Sequence, residues 1–128
     1  YHPHVAAAMT GQDVKILNPD GTLHNVHIFS KVNGELNIAM PKFRTEIVKK
    51  FDQAEAPFAL KCDVHPWMGA WLAVLPHPFF AVTDKNGAFT VDGVPPGTYK
   101  GTVWHEKLGA KTGEIQVGSP AKPFSLAY

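Results

Sequence analysis

The sequence predicts an all-β fold, and three observations support this prediction. Short segments in which apolar and polar residues alternate recur along the 128-residue chain. Turn-forming residues separate these segments, and the 11 glycines and 11 prolines are spread over the whole chain. Helix signals are weak, because the Ala-rich stretch Val5–Met9 is short and residues 42–51 lack both caps and a sustained helical period.

The first predicted strands flank an Asn-Pro-Asp-Gly turn. Before the turn, Val14 and Ile16 share one face of a strand. After it, His24, Val26 and Ile28 alternate with Asn25, His27 and Phe29. Because the side chains of a strand point alternately to its two faces, His24 is expected on the same face as the apolar residues.

Two further strands flank the single cysteine of the chain. Phe58, Leu60 and Cys62 share one face of the first strand, and residues 70–75 form the second. Residues 62–68 therefore connect two strands that belong to the core. The preceding interval, 35–57, is less regular and reads as a long loop that contains one strand at Glu46–Lys50.

After Pro76 the sequence changes to short strands with explicit turn chemistry. The strands are predicted at residues 79–84, 88–93, 98–106 and 113–118, with turns at Lys85-Asn86-Gly87 and Pro95-Pro96-Gly97. Such an array indicates a β-meander or a set of hairpins. We therefore divide the chain into a core at 1–75 and a β-rich extension at 76–128, which we expect to pack on the core or complete it.

Composition excludes several classes of function. Twelve Lys and Arg against 11 Asp and Glu give no bulk charge for binding nucleic acid or an anionic membrane, and no apolar stretch is long enough to span one. The chain begins at Tyr1 and not at Met, so either a signal peptide or a further part of the protein has been removed; we expect the signal peptide, and therefore a periplasmic or secreted protein. A single cysteine excludes an internal disulfide. In a secreted protein an unpaired thiol is a liability unless it has a functional role, so Cys62 requires an explanation.

The candidate metal ligands occur in one short loop. Cys62, His65 and Met68 recur at every third position. Thiolate, imidazole and thioether together favour copper over magnesium or calcium, and a trigonal His₂Cys set with a long axial Met describes an electron-transfer copper site. Zinc would recruit more thiolates or carboxylates. The second imidazole must come from elsewhere, and His24, at the start of a core strand, meets that need.

These residues resemble those of a known family. The sequence His-Asn-Val-His from His24, followed by Cys-x₂-His-x₂-Met, resembles the cupredoxins, and the short loop with Pro66 and Trp67 is most similar to the amicyanin-like members. The resemblance covers residues 1–75. It implies a Greek-key β-sandwich in which four residues bind one copper ion: His24, Cys62, His65 and Met68.

The resemblance also implies residues that support the site. Asn25 is expected to connect the two ligand-bearing loops, as hydrogen-bonded neighbours of metal ligands do. Pro66 and Trp67 are expected beside the ligands, where an exposed apolar patch around His65 would bring the copper site close to a redox partner.

The extension resembles the hairpins of transthyretin-like and carboxypeptidase-regulatory-like modules, and the combined chain resembles plastocyanin-like bacterial proteins known as methylamine utilisation proteins. The match to cupredoxins begins about one strand late. We therefore expect a strand of the extension, at 113–117 or 124–128, to pair with the uncovered sheet edge.

The implied function is that of an electron carrier and not an enzyme, with a redox protein such as a c-type cytochrome or a dehydrogenase as its partner. Three alternatives remain: a copper chaperone or store, a carbohydrate- or protein-binding β-sandwich whose metal site has decayed, and a redox enzyme with an open copper position. Isolated histidines are mostly surface groups. Of His2, His4, His77 and His105, the candidates for a second metal or a near-site role are His4 and His105, because both lie in strand-like segments.

Overall fold

The computed structural model describes residues 1–118, 120 and 123–128, and this part of the chain contains nine β-strands and no helix. The strands are β1 (Val5–Met9), β2 (Asp13–Leu17), β3 (His24–Ile28), β4 (Leu36–Met40), β5 (Glu46–Lys50), β6 (Glu55–Lys61), β7 (Gly69–Leu75), β8 (Gly97–His105) and β9 (Gly109–Val117). None of the described elements is a helix of the length and apolar character that a membrane crossing needs. The chain forms two compact units, Tyr1–Phe89 and Thr90–Tyr128.

The first unit is a two-layer β-sandwich. One layer is a five-stranded sheet in the order β1-β7-β6-β3-β4, in which β1 runs parallel to β7 and the other neighbours are antiparallel. The other layer is the antiparallel pair β2-β5. The core between the layers contains the fully buried Phe51 and Ile28, and Val14, Ile16 and Ile47 of the smaller sheet pack against it.

The second unit contains the hairpin of β8 and β9. Gly101 and Gly113 face each other across it. Apolar side chains lie close to both glycines: a Cβ on Gly101 would lie 2.3 Å from Ile115 Cδ1, and one on Gly113 would lie 3.1 Å from Leu126. Glycine at both positions therefore lets these apolar side chains lie directly on the backbone of the hairpin.

The structure confirms the predicted fold class, an all-β sandwich with a C-terminal β-hairpin. It also confirms strands at the predicted positions of β2, β3, β5, β6, β7, β8 and β9. The predicted boundary at residues 75 and 76 and the packing expected for the extension stay predictions.

Three parts of the sequence were interpreted wrongly. Strand β1 was missed because small alanines give it no alternation, and its place is set by parallel pairing with β7. Strand β4 lies in the interval predicted as mostly loop, and it pairs with β3 along its whole length. Residues 79–84 and 88–93 form no strands, although the predicted turn is present, with Gly87 at φ 79° and its N–H 3.0 Å from the Asp84 carbonyl oxygen.

The strand partner expected for the extension also differs. Residues 113–117 do form a strand, as the end of β9, but they pair with β8. Residues 124–128 form no strand. The parallel strand β1, which the sequence did not predict, forms one edge of the larger sheet.

Candidate metal centre

His24 is the first residue of β3, and its position follows from the strand period. Val26 and Ile28, two and four residues later, are 1% and 0% exposed. His24 points to the same side and is itself buried at 8% exposure, opposite Met40 of β4. The ring therefore lies at the end of the apolar core.

Cys62 directly follows β6, and its side chain continues the buried face of Phe58 and Leu60. The backbone then makes a tight connection to β7. The Cys62 N–H donates to the Met68 carbonyl oxygen at 3.3 Å, and the Met68 N–H donates to the His65 carbonyl oxygen at 2.9 Å. The antiparallel pairing of β6 and β7 thus fixes both ends of the loop that carries the three predicted ligands.

The start of β3 and the loop between β6 and β7 bring two imidazoles and the thiol together. Nδ1 of His24 lies 3.0 Å from Nδ1 of His65. The Cys62 Sγ lies 3.9 Å from the first of these nitrogens and 3.7 Å from the second. Three potential ligand atoms therefore converge, all within 4.8 Å of one another.

Electrostatics favour the thiolate form of Cys62. Burial of the thiol raises its pKa, but hydrogen bonds from the Asn25 backbone amide and the rings of His24 and His65 outweigh burial and lower the pKa from 9.0 to about 6. The same contact with the sulfur raises the pKa of His24. A thiolate is the form in which cysteine binds metals.

Asn25 links β3 to the loop that follows Cys62. Its Oδ1 accepts hydrogen bonds from the backbone N–H groups of Asp63 at 2.6 Å and Val64 at 3.3 Å. Its Nδ2 donates to Asn37 Oδ1 and to Asp63 Oδ2, both at 2.8 Å. One buried amide thus spans three segments, while a tuning effect of Asn25 on a metal stays a prediction.

A polar network around Asp63 extends this link, and the sequence did not indicate it. The Asp63 carboxylate also accepts a hydrogen bond from Asn37 and lies 3.1 Å from His27 Nδ1, while His27 Nε2 lies 2.7 Å from Glu35. The hydrogen bond to Glu35 and, to a smaller extent, the one to Asp63 raise the pKa of His27. Hydrogen bonds from Asn37 and His27 lower the pKa of Asp63. His27 is thus paired on both nitrogens, away from the Cys62 sulfur.

Two further residues beside the site were missed. Asp20 Oδ2 lies 2.9 Å from His24 Nε2. The Tyr1 hydroxyl lies 3.0 Å from the carbonyl oxygens of both Asn25 and Lys61. Burial, and then the charges of Cys62 and Asp63, raises the pKa of Tyr1 to about 12. The only signal in the sequence is an acidic residue in the turn four positions before His24.

The outer side of the loop is exposed and partly apolar. Trp67 is 81% exposed, and its ring centroid lies 5.2 Å from that of His65. Val64 and Leu23 are each 46% exposed, and Pro66 is exposed as well. His65 is partly exposed beside Trp67.

The other predicted histidines lie outside this cluster. His4 Nδ1 lies 3.1 Å from the Gly69 carbonyl oxygen, at the start of β7. His105 Nδ1 accepts a hydrogen bond from the Lys107 N–H at 3.2 Å. Among the described residues, the single group of three or more His, Cys, Asp and Glu residues that could hold a metal consists of His24, Cys62 and His65.

Parts of the chain are similar to known proteins. Residues 74–123 match the protein-family model described as polysaccharide lyase family 4, domain II. The chain is similar to a Cu(I) structure of a methionine-to-alanine mutant of amicyanin at 25% identity and to a reduced proline-to-phenylalanine mutant at 26% identity. Each likeness covers 58% of this chain and 71% of the amicyanin chain, with a TM-score of 0.49. No curated protein matches the sequence.

Proposed function

We propose that this chain binds one copper ion through His24, Cys62, His65 and Met68 and carries single electrons. The observation that supports this most directly is the convergence of a buried cysteine sulfur with the Nδ1 atoms of two histidines. Its function is transfer of an electron between proteins and not catalysis.

The donor set fits copper. Two imidazoles and a thiolate, with a thioether from the same loop as a weak fourth ligand, are the combination that electron-transfer copper sites use. Structural zinc sites are closed by four strong ligands, and Met68 would not supply the fourth. Metal binding requires a deprotonated sulfur, and a Cys62 pKa of about 6 makes the thiolate available near neutral pH.

Copper, when bound, would supply a centre that exchanges one electron between the Cu(II) and Cu(I) states. The protein's part is to hold the ligands in place during that exchange. His24 is fixed by pairing of β3 with β4, and Cys62 by pairing of β6 with β7. Because the strands of a packed core hold His24 and both ends of the loop that carries Cys62, His65 and Met68, little rearrangement accompanies each electron.

The exposed side of the loop is the proposed face for a redox partner. His65 is the partly exposed ligand, and Trp67 in contact with it offers a large apolar surface. Aromatic side chains of this kind contribute strongly to protein interfaces. The proposed partner is a redox protein such as a c-type cytochrome or a dehydrogenase, and the proposed compartment is the periplasm or the exterior of the cell.

Titration of the purified protein with Cu(II) tests the assignment. We expect an intense visible band from thiolate-to-copper charge transfer and the matching electron paramagnetic resonance spectrum. Both should disappear in Cys62→Ser and persist in His4→Asn, which changes a histidine outside the cluster. A pale spectrum that Cys62→Ser leaves unchanged would refute the proposal.

The same titration separates the alternatives. A copper chaperone or store would bind Cu(I) tightly without a stable coloured Cu(II) form. A binding module with a decayed site would fold normally and remain indifferent to copper. An enzyme with an open copper position would change its spectrum when a small anion such as azide is added.

A further inference from the structure

The turn before β3 is built around a buried asparagine. Asn18 is 4% exposed, and its Nδ2 donates to the carbonyl oxygens of Thr22 at 2.9 Å and Met40 at 3.0 Å. Its Oδ1 accepts a hydrogen bond from the Asp20 N–H at 3.2 Å. The turn is therefore tied both to itself and to the end of β4, and it holds the backbone of Asp20 in a defined place.

From this place the Asp20 carboxylate reaches the ring of His24. The Asp20 Oδ2 lies 2.9 Å from His24 Nε2, and the His24 side chain is only 11% exposed. An ionised carboxylate only accepts hydrogen bonds, so Nε2 must carry the proton. In the neutral form, which a metal ligand must take, the imidazole has only this one N–H, so Nδ1, the atom that faces Cys62 and His65, carries a lone pair.

We propose that Asp20 is a positioning residue of the metal centre. It fixes the tautomer and orientation of His24 and makes the Nδ1 atom of that ring a stronger electron-pair donor to the metal. This inference rests on the proposed copper function. A carboxylate behind a ligand imidazole increases the basicity of the ligand. A negative charge near the centre also favours the more highly charged ion, so Asp20 should stabilise Cu(II) more than Cu(I).

The metal-free protein provides the first test. Ring nitrogen NMR, at a pH where the histidines are neutral, should show His24 with its proton on Nε2. Asp20→Ala should lose this preference. An Nδ1–H tautomer in the unchanged protein would overturn the proposal, whether or not the protein binds copper.

The reduction potential of the copper-loaded protein provides the second test. Asp20→Asn keeps an acceptor for the Nε2 proton but removes the charge. Mutation of such a partner lowers metal affinity by about tenfold or more. If the affinity for Cu(II) falls tenfold while the affinity for Cu(I) is unchanged, the reduction potential of this one-electron couple rises by about 59 mV.

Asp13→Asn is the matched control. The Asp13 side chain is 62% exposed, against 57% for Asp20, and its carboxylate pairs with Lys50 at 3.4 Å. The Asp13→Asn variant therefore removes an equal charge at a site that does not contact His24. We expect the potential to rise in Asp20→Asn and to remain unchanged in Asp13→Asn. Equal shifts in the two variants, or no shift in either, would overturn the role of Asp20. A protein that fails to bind copper but shows the predicted tautomer would instead refute the copper function while the positioning of His24 stands.

Discussion

The Nδ1 atoms of His24 and His65 lie 3.0 Å apart, although 41 residues separate the two histidines. Two unprotonated nitrogens at this distance would repel each other, so a hydrogen or a metal ion must lie between them. In the metal-free protein, one of the two rings must therefore direct an N–H toward the other. A metal ion at this point would replace it.

Removal of the metal should destabilise the protein. A ligand that binds only the folded state stabilises it by about 4 kcal/mol when its free concentration is about 1,000 times Kd. Thermal unfolding of the copper-loaded protein should therefore occur at a higher temperature than unfolding after chelation. Cys62→Ser should show no such difference, and an unchanged melting temperature for the unaltered chain would contradict the prediction.

Asn25→Ala should cost about 3 kcal/mol of unfolding free energy, because it leaves the Asp63 and Val64 N–H groups without their acceptor. Denaturant unfolding measures the loss. Copper should also dissociate faster, since the loop is no longer tied to β3. Asn86→Ala, at an exposed turn position, should change stability by no more than about 0.5 kcal/mol. Equal costs for the two variants would show that the Asn25 side chain does not hold the loop.

Tyr1→Phe should cost about 1 kcal/mol, the usual net contribution of one hydrogen bond. The variant keeps the ring that packs against the core and loses the hydroxyl that contacts Asn25 and Lys61. Because folding raises the phenol pKa from 10.0 to about 12, the associated stability is present below pH 10 and is lost as the pH rises toward 12. Unfolding at alkaline pH should show this loss for the unaltered protein and not for Tyr1→Phe.

Glu55 should stabilise the loop that follows β3 in a pH-dependent manner. Its carboxylate accepts hydrogen bonds from Ser30 Oγ at 2.6 Å, Lys31 N–H at 2.7 Å and Asn33 Nδ2 at 3.0 Å. Burial raises its pKa, but these bonds outweigh burial and lower the value from 4.5 to about 2. The stabilisation is therefore complete above pH 4.5 and is lost as the pH falls toward 2.

Glu55→Gln tests this dependence. It should cost about 1 to 2 kcal/mol near neutral pH and little near pH 2, as measured by denaturant unfolding across that range. Glu46→Gln, which removes an exposed partner of Lys15 at 3.7 Å, should cost less than about 1 kcal/mol. If Glu55→Gln lost stability between pH 4.5 and 2 as steeply as the unaltered protein, the carboxylate would not be the cause.

Trp67→Ala should slow electron transfer without weakening the fold. At 81% exposure the side chain contributes little to the core, so unfolding free energy should change by no more than about 0.5 kcal/mol. Loss of an aromatic anchor worth about 1.4 kcal/mol corresponds to a roughly tenfold slower exchange between Cu(I) and Cu(II) protein molecules. Leu17→Ala, on β2 at 63% exposure, should leave the rate unchanged. Equal rates in Trp67→Ala and the unaltered protein would exclude this face.

Local patterns in the sequence were enough to predict the strands that carry the site. Alternation placed His24 with Val26 and Ile28, and Cys62 with Phe58 and Leu60, because the two-residue strand period is independent of the partner strand. The same alternation failed at residues 79–84, where no partner continues the ladder. It also missed β1, whose alanines become a strand through pairing with β7.

The sequence by itself determined the types of candidate ligand and the faces on which His24 and Cys62 lie, since the spacing in the loop is local and the strand period is fixed. Tertiary structure alone decided which groups surround those ligands. Asp20 meets the far nitrogen of His24, Tyr1 reaches the backbone beside Cys62, and Asp63 joins Asn25 to Asn37. These contacts depend on the register between strands and on the path of the turns, which no local period encodes.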